Sequence, residues 1–122
     1  MAALGRRQEG TEFGAYVRQL RLERKMSQQQ VADRLGTSLT YYNKIERGLL
    51  PPPSAAMIDG LAEVLEADRD ELYARAGKVP PEVLEVLKGR AELFALVRAA
   101  EPLSAERVRE LIAWVREMGG RR

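Results

Sequence analysis

The sequence contains neither cysteine nor histidine among its 122 residues. These absences exclude disulfides, thiol catalysis, the usual zinc sites, and nucleophilic centres of the Ser-His or Cys-His kind. No apolar run approaches the roughly 18 residues that a membrane span needs, and the N-terminus lacks the hydrophobic stretch of a signal peptide. We therefore expect a cytoplasmic protein with no metal, no cofactor, no membrane contact and no enzymatic activity.

The charged residues are distributed unevenly along the chain. The net charge is only +2, but residues 1–48 carry nine Arg or Lys against five Asp or Glu, a net charge of +4. Residues 49–77 carry two basic against six acidic residues, and residues 78–122 carry nine against seven. An electropositive segment beside an acidic one indicates that one face is turned towards a polyanion.

The spacing of apolar residues predicts helices throughout, and no run of alternating residues indicates a strand. The first helix is predicted from about Glu12 to Lys25, with Thr11 as its N-cap. Every serine precedes a predicted helix, so N-capping explains the serines without a catalytic role. These N-cap serines are Ser27, Ser38, Ser54 and Ser104.

Glycine and proline residues, which interrupt helices, divide the chain into three segments. Residues 1–10 are predicted to be a flexible N-terminal arm, and residues 11–77 contain five short helices. Beyond the boundary at Val79-Pro80-Pro81, residues 78–122 contain three more helices. The side chains predicted to form the core of the middle segment are Phe13, Val17, Leu20, Val31, Ala32, Leu35, Tyr42, Ile45, Ile58, Leu61, Ala62, Leu65, Leu72 and Ala76.

Two of the short helices are separated by Gly36-Thr37-Ser38, an arrangement typical of a helix-turn-helix. The first of them opens with a capping box of the S-x-x-Q form, and Gly36 permits the sharp turn that follows it. On the second helix, Thr40, Lys44 and Arg47 point outwards. A donor-rich face led by a capped N-terminus is suited to the major groove of DNA.

This segment resembles the Cro and phage-repressor type of helix-turn-helix proteins, also called the XRE family. The resemblance covers about residues 12–77 and implies an all-α fold, a five-helix lambda-repressor-like DNA-binding domain followed here by a C-terminal helical, hairpin-like segment. The matching motif is Gln28-x-x-Val31-Ala32-x-x-Leu35-Gly36-x-Ser38-x-x-Tyr41-Tyr42-x-Lys44-Ile45-Glu46-Arg47-Gly48.

The resemblance also implies roles for individual residues. Lys44 would donate to guanine and Leu39 would rest on a thymine methyl group. The implied base-reading set is Ser38, Leu39, Thr40 and Lys44. The implied phosphate contacts are Ser27, Gln28, Tyr41, Asn43 and Arg47. Arg21 and Glu46 resemble the ion pair that joins the first and third helices in this family, a structural pair rather than a catalytic one.

Alternative explanations exist for several of these residues. Lys44 and Arg47 also fit an ordinary solvated face, and the ring of Tyr41 also fits surface packing. Arg6 and Arg7 fit either a minor-groove arm or a disordered tail. The family often carries Lys or Arg after the glycine at position 48, whereas two leucines and three prolines follow it here, so we expect a phosphate clamp that is either thinner or supplied elsewhere.

The last third of the chain carries an apolar stripe at helical spacing. Two or three short helices form too small a unit to bury such a stripe alone, so we expect pairing with a second copy; packing against the N-terminal domain is the alternative. The residues predicted for oligomerisation are Leu93, Phe94, Val97, Val108, Leu111, Ile112, Trp114, Val115 and Met118.

Together these features predict a sequence-specific regulator of transcription that binds double-stranded DNA. We expect a dimeric repressor on an inverted-repeat operator, with higher oligomers or a protein antagonist as further partners. The alternative is an antitoxin-like or adaptor protein that acts mainly through contacts of its C-terminal helices. The two classes differ in what co-purifies, nucleic acid or a stoichiometric polypeptide.

Overall fold

The computed structural model describes the backbone of residues 2–120 and the side chains of residues 12–120. Within that range the chain is all-α, as predicted. The helices are α1 (Ala2–Glu23), α2 (Gln28–Leu35), α3 (Leu39–Glu46), α4 (Ala55–Val64), α5 (Arg69–Arg75), α6 (Pro81–Leu87), α7 (Ala91–Ala100) and α8 (Ala105–Gly120). None of these helices is long and apolar enough to cross a bilayer. The chain divides into two compact units, residues 1–81 and 82–122.

The first helix differs from its prediction at both ends. It begins at Ala2 rather than near Glu12, so Thr11 lies inside α1 and is not its N-cap, and the backbone of residues 2–10 is helical rather than irregular. This segment is rich in Ala, Leu, Arg, Gln and Glu, which favour helix even where no apolar stripe is present. The side chains of Arg6 and Arg7 lie outside the described residues, so their minor-groove role stays a prediction.

The end of α1 is set by a left-handed residue. Lys25 has a φ of 55°, and the Met26 amide donates to the Arg21 carbonyl at 3.2 Å. This is the 6→1 bond of a Schellman motif, and it stops the helix two residues before the predicted end. The loop after α4 also contains a left-handed residue, since Glu66 has a φ of 50°. The two loops are joined where Arg24 Nη2 donates to the Glu66 carbonyl at 2.9 Å.

The predicted serine caps are confirmed. At α2 the capping box is complete: Ser27 Oγ accepts from the Gln30 amide at 3.0 Å, and Gln30 Oε1 accepts from the Ser27 amide at 2.8 Å. The hydroxyl groups of the serines before α3, α4 and α8 accept from amides three residues further on. These contacts satisfy amides that have no partner within the helix.

The core of the first unit joins α1 to α5. Every predicted core side chain is buried except Leu35, which is half-buried and packs against the others. Tyr73 was not predicted, yet it is only 1% exposed, and its hydroxyl donates towards Asp59 Oδ1 at 2.9 Å and the Ala55 carbonyl at 3.1 Å. These bonds supply the polar partners that a buried tyrosine needs.

The first unit ends four residues later than the predicted boundary at position 77. Lys78 is anchored to this unit because its Nζ donates to the Pro53 carbonyl at 2.7 Å. Pro80 is buried. The residues after α5 therefore hold the proline-rich connector between α3 and α4 in place.

The second unit contains α7, α8 and nearly all of α6, the three helices predicted for this part of the chain. No described side chain of residues 82–120 is buried. Of the residues predicted for oligomerisation, Leu93, Val108 and Leu111 are half-buried. The others are 41–58% exposed, namely Phe94, Val97, Ile112, Trp114, Val115 and Met118. This unit therefore presents an apolar surface rather than a closed core.

Candidate nucleic-acid interface

The candidate interface is built on α2 and α3. Gly36 closes α2 with a φ of 72°, a left-handed conformation that glycine adopts without steric cost. Its amide donates to the Asp33 carbonyl at 3.1 Å, and the Thr37 amide donates to the Ala32 carbonyl at 3.0 Å. Two residues further on, Ser38 Oγ accepts from the Tyr41 amide at 3.0 Å and opens α3. The turn thus brings the two short helices together at a fixed angle.

One side of α3 is buried and the other is open. Tyr42 and Ile45 are buried in the core. The predicted base-reading side chains are all exposed on the opposite side: Ser38, Leu39, Thr40 and Lys44. The structure therefore brings this set together on one accessible surface, which we call the α3 outer face, made of these four residues and Arg47.

The cations of the α3 outer face are not committed to other groups. Lys44 and Arg47 are exposed, and neither has an acidic partner within salt-bridge distance in the described part of the chain. By contrast, Arg69, Arg75, Lys88 and Arg107 pair with nearby carboxylates. An unpaired cation is available to a phosphate or to a base edge without first losing another contact.

The N-termini of both helices offer hydrogen-bond donors. Gln28 and Gln29 occupy the first turn of α2, where backbone amides lack intrahelical partners. The Ser27 hydroxyl oxygen accepts from the Gln30 amide, which leaves its proton for another acceptor. Leu39 is the first residue of α3, whose first backbone amides likewise lack intrahelical partners. Two helix N-termini with donors of this kind suit anionic groups.

A buried ion pair fixes α3 against α1. Arg21 Nε donates to Glu46 Oε2 at 2.6 Å and Arg21 Nη2 to Glu46 Oε1 at 3.0 Å, a bidentate arrangement. The third nitrogen, Arg21 Nη1, donates to the Met26 carbonyl at 2.9 Å and so reaches the loop before α2. Arg21 and Glu46 therefore join three elements of the first unit.

The electrostatics of this pair favour its ionised form. Burial raises the pKa of Glu46, but the hydrogen bonds from Arg21, followed by smaller effects of the neighbouring Tyr42 hydroxyl and of Gln28, outweigh burial and hold that pKa below its usual value of 4.5. The hydrogen bond to Glu46 raises the pKa of Arg21 against the opposing effect of burial. The nearby Tyr42 hydroxyl is buried without a hydrogen-bond partner, and burial raises its pKa.

Two of the predicted phosphate contacts are tied to this pair. Gln28 Nε2 donates to Glu46 Oε1 at 3.0 Å, and Asn43 Nδ2 donates to Gln28 Oε1 at 3.2 Å. Both amide side chains are half-buried. Tyr41 is also half-buried and packs against the core. Of the predicted phosphate set, Ser27 and Arg47 are exposed.

Gly14 supports the interface, although the sequence analysis did not single it out. A Cβ atom at this position of α1 would lie 2.3 Å from the Ile45 carbonyl oxygen and 2.6 Å from that of Glu46. The backbone of α1 thus touches the C-terminal end of α3. A glycine inside an otherwise helical pattern is the signal that could have indicated such a close approach.

The expected phosphate clamp after α3 is replaced by an apolar residue. Leu49 is 56% exposed where the family often has a cation. No group of three or more Asp or Glu among the described residues could hold a metal ion. The site is therefore a surface of donors and cations with an apolar margin.

The comparisons with known proteins agree with this geometry. Residues 12–74 match the family described as Helix-turn-helix domain, more than half of the chain. The chain therefore belongs to the helix-turn-helix family.

Its relatives include bacterial regulators. The "Uncharacterized HTH-type transcriptional regulator RghRB" of Bacillus subtilis is 34% identical over 97 residues, 77% of this chain and 70% of the relative. The "HTH-type transcriptional repressor RghR" of the same species is 32% identical over 99 residues, 81% of this chain and 70% of the relative. A chain of the SinR protein/SinI protein complex has a similar fold, with a TM-score of 0.50 and 22% identity over 88% of this chain and 98% of its own.

Proposed function

We propose that this protein is a sequence-specific DNA-binding regulator of transcription, a repressor that covers promoter DNA. The observation that carries the proposal is the α3 outer face, which presents a capped helix N-terminus, the exposed Leu39 and two cations without an acidic partner among the described residues. The relatives named transcriptional regulators and a transcriptional repressor support the same function. In this proposal α3 enters the major groove and the first turn of α2 lies against the backbone.

Base reading is assigned to four exposed side chains, three at the start of α3 and Lys44 in its last turn. Lys44 donates to guanine O6 or N7, and Leu39 contacts a thymine methyl group. Ser38 and Thr40 donate or accept through their hydroxyls. These side chains are assigned to the bases because they are exposed on the side of α3 opposite to the core, which is the side that a recognition helix turns towards base edges.

Phosphate contacts are assigned to the flanks of this set. The Ser27 hydroxyl and the backbone amide of Gln28 bind one phosphate, and Arg47 binds another beyond the other end of α3. Tyr41 completes the phosphate contacts. Asn43 is left out of this set, because its Nδ2 donates to Gln28 Oε1. Arg47 carries most of the charge-dependent affinity because Leu49 offers no cation beside it.

The test begins with selection of binding sites from random duplexes by the purified protein. Lys44→Ala should then weaken binding to the selected duplex by about 1–3 kcal/mol and leave random DNA nearly unaffected. Arg47→Ala should weaken both duplexes alike and reduce the salt slope by about 1. Lys88→Ala just after α6, which removes a cation paired with Glu85, is the control and should change neither affinity.

If Lys44→Ala weakened binding to both duplexes equally, Lys44 would be a phosphate contact rather than a base contact. Binding that hardly weakens between low and physiological salt would contradict recognition through phosphates altogether.

We further propose that the C-terminal unit pairs two copies of the chain. Large apolar side chains that are 40–58% exposed lie along all three of its helices, more than isolated surface residues would explain. A second copy is the favoured occupant because α8 carries three Glu and three Arg, so two such helices meet without net repulsion. Pairing presents two α3 helices, which an inverted repeat with half-sites about 34 Å apart would accommodate.

Light scattering at micromolar concentration tests this pairing. Ile112→Asp places a charge in the apolar stripe of α8 and should shift the dimer towards monomer. Ala113→Asp places the same charge on the opposite, exposed side of the helix and should leave the dimer intact. A wild-type monomer both on and off DNA would contradict the pairing. A stoichiometric second polypeptide that co-purifies in place of the second copy would favour the adaptor function.

A further inference from the structure

Two amide side chains connect the surface of the interface to its buried ion pair. The Glu46 side chain is only 1% exposed, and its Oε1 accepts from Gln28 Nε2 at 3.0 Å. Gln28 Oε1 in turn accepts from Asn43 Nδ2 at 3.2 Å. The chain of bonds leaves α3 at Glu46, passes through the first residue of α2, and returns to α3 at Asn43. We call these three residues the amide relay.

The direction of every bond in the amide relay is dictated by its buried end. An ionised carboxylate only accepts, so Gln28 must turn its NH₂ group towards Glu46 and its carbonyl oxygen away. That oxygen requires a donor, which Asn43 supplies. A single arrangement satisfies all three groups, so the relay specifies one relation between α2 and α3 rather than several.

We propose that the Gln28 and Asn43 side chains are positioning residues, which set the α3 outer face relative to the phosphate-binding N-terminus of α2. This inference rests on the proposed DNA-binding function and deepens it. Gln28 touches phosphate through its backbone amide, while its side chain acts on base reading through Asn43 and Glu46. The base readers lie on α3, and the phosphate anchor at Ser27 and Gln28 lies at the start of α2, so their relative placement decides which bases the anchored protein reaches.

The proposal differs measurably from independent phosphate contacts. Two separate phosphate ligands contribute additively and to every sequence alike. Two members of one relay are coupled, because removal of either member breaks the same connection. Positioning affects base contacts. The variants should therefore lose affinity for the selected duplex and keep their affinity for random DNA.

The experiment is a double-mutant cycle with Gln28→Met and Asn43→Leu, which replace each amide by an apolar side chain of similar shape. Each variant should bind the selected duplex roughly tenfold more weakly, a loss of the size of about one hydrogen bond, and the double variant should be no weaker than either. Binding to random DNA should change less than twofold. Gln19→Met is the control for affinity, since Gln19 lies on α1, donates only to exposed Glu23 and should keep full affinity. Gln29→Met, which lies in the same turn as Gln28 but bonds to exposed Asp33, is the control for the signals of Asn43.

A second readout uses the free protein. The side-chain NH₂ signals of Asn43 in a nitrogen-15 spectrum should shift in Gln28→Met and stay in place in Gln29→Met. If Gln28→Met does not fold, Asn43→Leu alone still tests the proposal, because it should lower the ratio of the affinity for the selected duplex to the affinity for random DNA. Additive losses that are equal on both duplexes, or Asn43 signals that do not move, would overturn the proposal. A wild-type protein that selects no duplex would instead refute the DNA-binding function, and this inference with it.

Discussion

The contact between Gly14 and the end of α3 leads to a sharp prediction for Gly14→Ala. The added Cβ would lie 2.3 Å from the Ile45 carbonyl oxygen, 2.6 Å from the Glu46 carbonyl oxygen and 2.9 Å from the Glu46 carbonyl carbon. Carbon–oxygen contacts are ordinarily about 3.3 Å or longer, so α1 and α3 must separate by about 1 Å. No flexible side chain is available to yield, because every clashing atom belongs to the backbone.

The expected cost follows from two opposing effects. Overpacking in a rigid contact costs about 1–3 kcal/mol, and a clash against two residues of backbone belongs at the upper end of that range. Alanine in place of glycine in a helix interior contributes about 1 kcal/mol in the opposite direction. We therefore expect the free energy of unfolding to fall by about 2 kcal/mol, which lowers the melting temperature of a unit of this size by about 10 °C.

Thermal unfolding followed by circular dichroism measures this loss. Gly60→Ala is the matched control, because a Cβ there would meet only the mobile Cδ2 of Leu35 at 3.1 Å. We expect that variant to unfold within a few degrees of the wild type. Gly14→Ala should also lose selected-duplex binding, since α3 moves with the clash. A Gly14→Ala protein as stable as Gly60→Ala would refute the close approach of α1 and α3.

Further predictions concern stability. Lys25→Gly should raise the free energy of unfolding in urea by about 0.5 kcal/mol because it relieves a left-handed φ, and Glu66→Gly should do the same. The wild type should lose stability as the pH falls below about 4.5, through the lowered pKa of Glu46, because the unfolded chain binds that proton first. Glu46→Gln should be about 3 kcal/mol less stable at pH 7 and should lose less on acidification. Tyr42→Phe should unfold within about 0.5 kcal/mol of the wild type, because its hydroxyl has no hydrogen-bond partner.

Local signals account for the parts of the fold that could be predicted from sequence. The capping box at Ser27 and the left-handed Gly36 act within a few residues, so their geometry follows from residue type and spacing. The same holds for the outward position of Lys44 on α3, because helical periodicity assigns it once the start of the helix is known.

The features that escaped prediction depend on contacts distant in sequence. Gly14 meets α3 more than thirty residues away. Tyr73 is buried because Asp59 and Ala55 supply partners for its hydroxyl, which no local pattern around position 73 indicates. The orientation of the Gln28 side chain likewise depends on Glu46. Spacing places a residue on a face, but only the packed structure shows what its polar atoms bind.

The Arg21–Glu46 pair explains how stability and recognition are connected in this unit. A buried ion pair often contributes little net stability compared with apolar residues of similar volume, because desolvation of both charges offsets their attraction. Its geometry, however, is specific: Glu46 accepts two bonds from Arg21 and one from Gln28, and so relates α1, α2 and α3 at a single point. Apolar side chains could fill this space without fixing those directions. The charge of Glu46 is therefore better explained by the placement of α3 than by the free energy of folding.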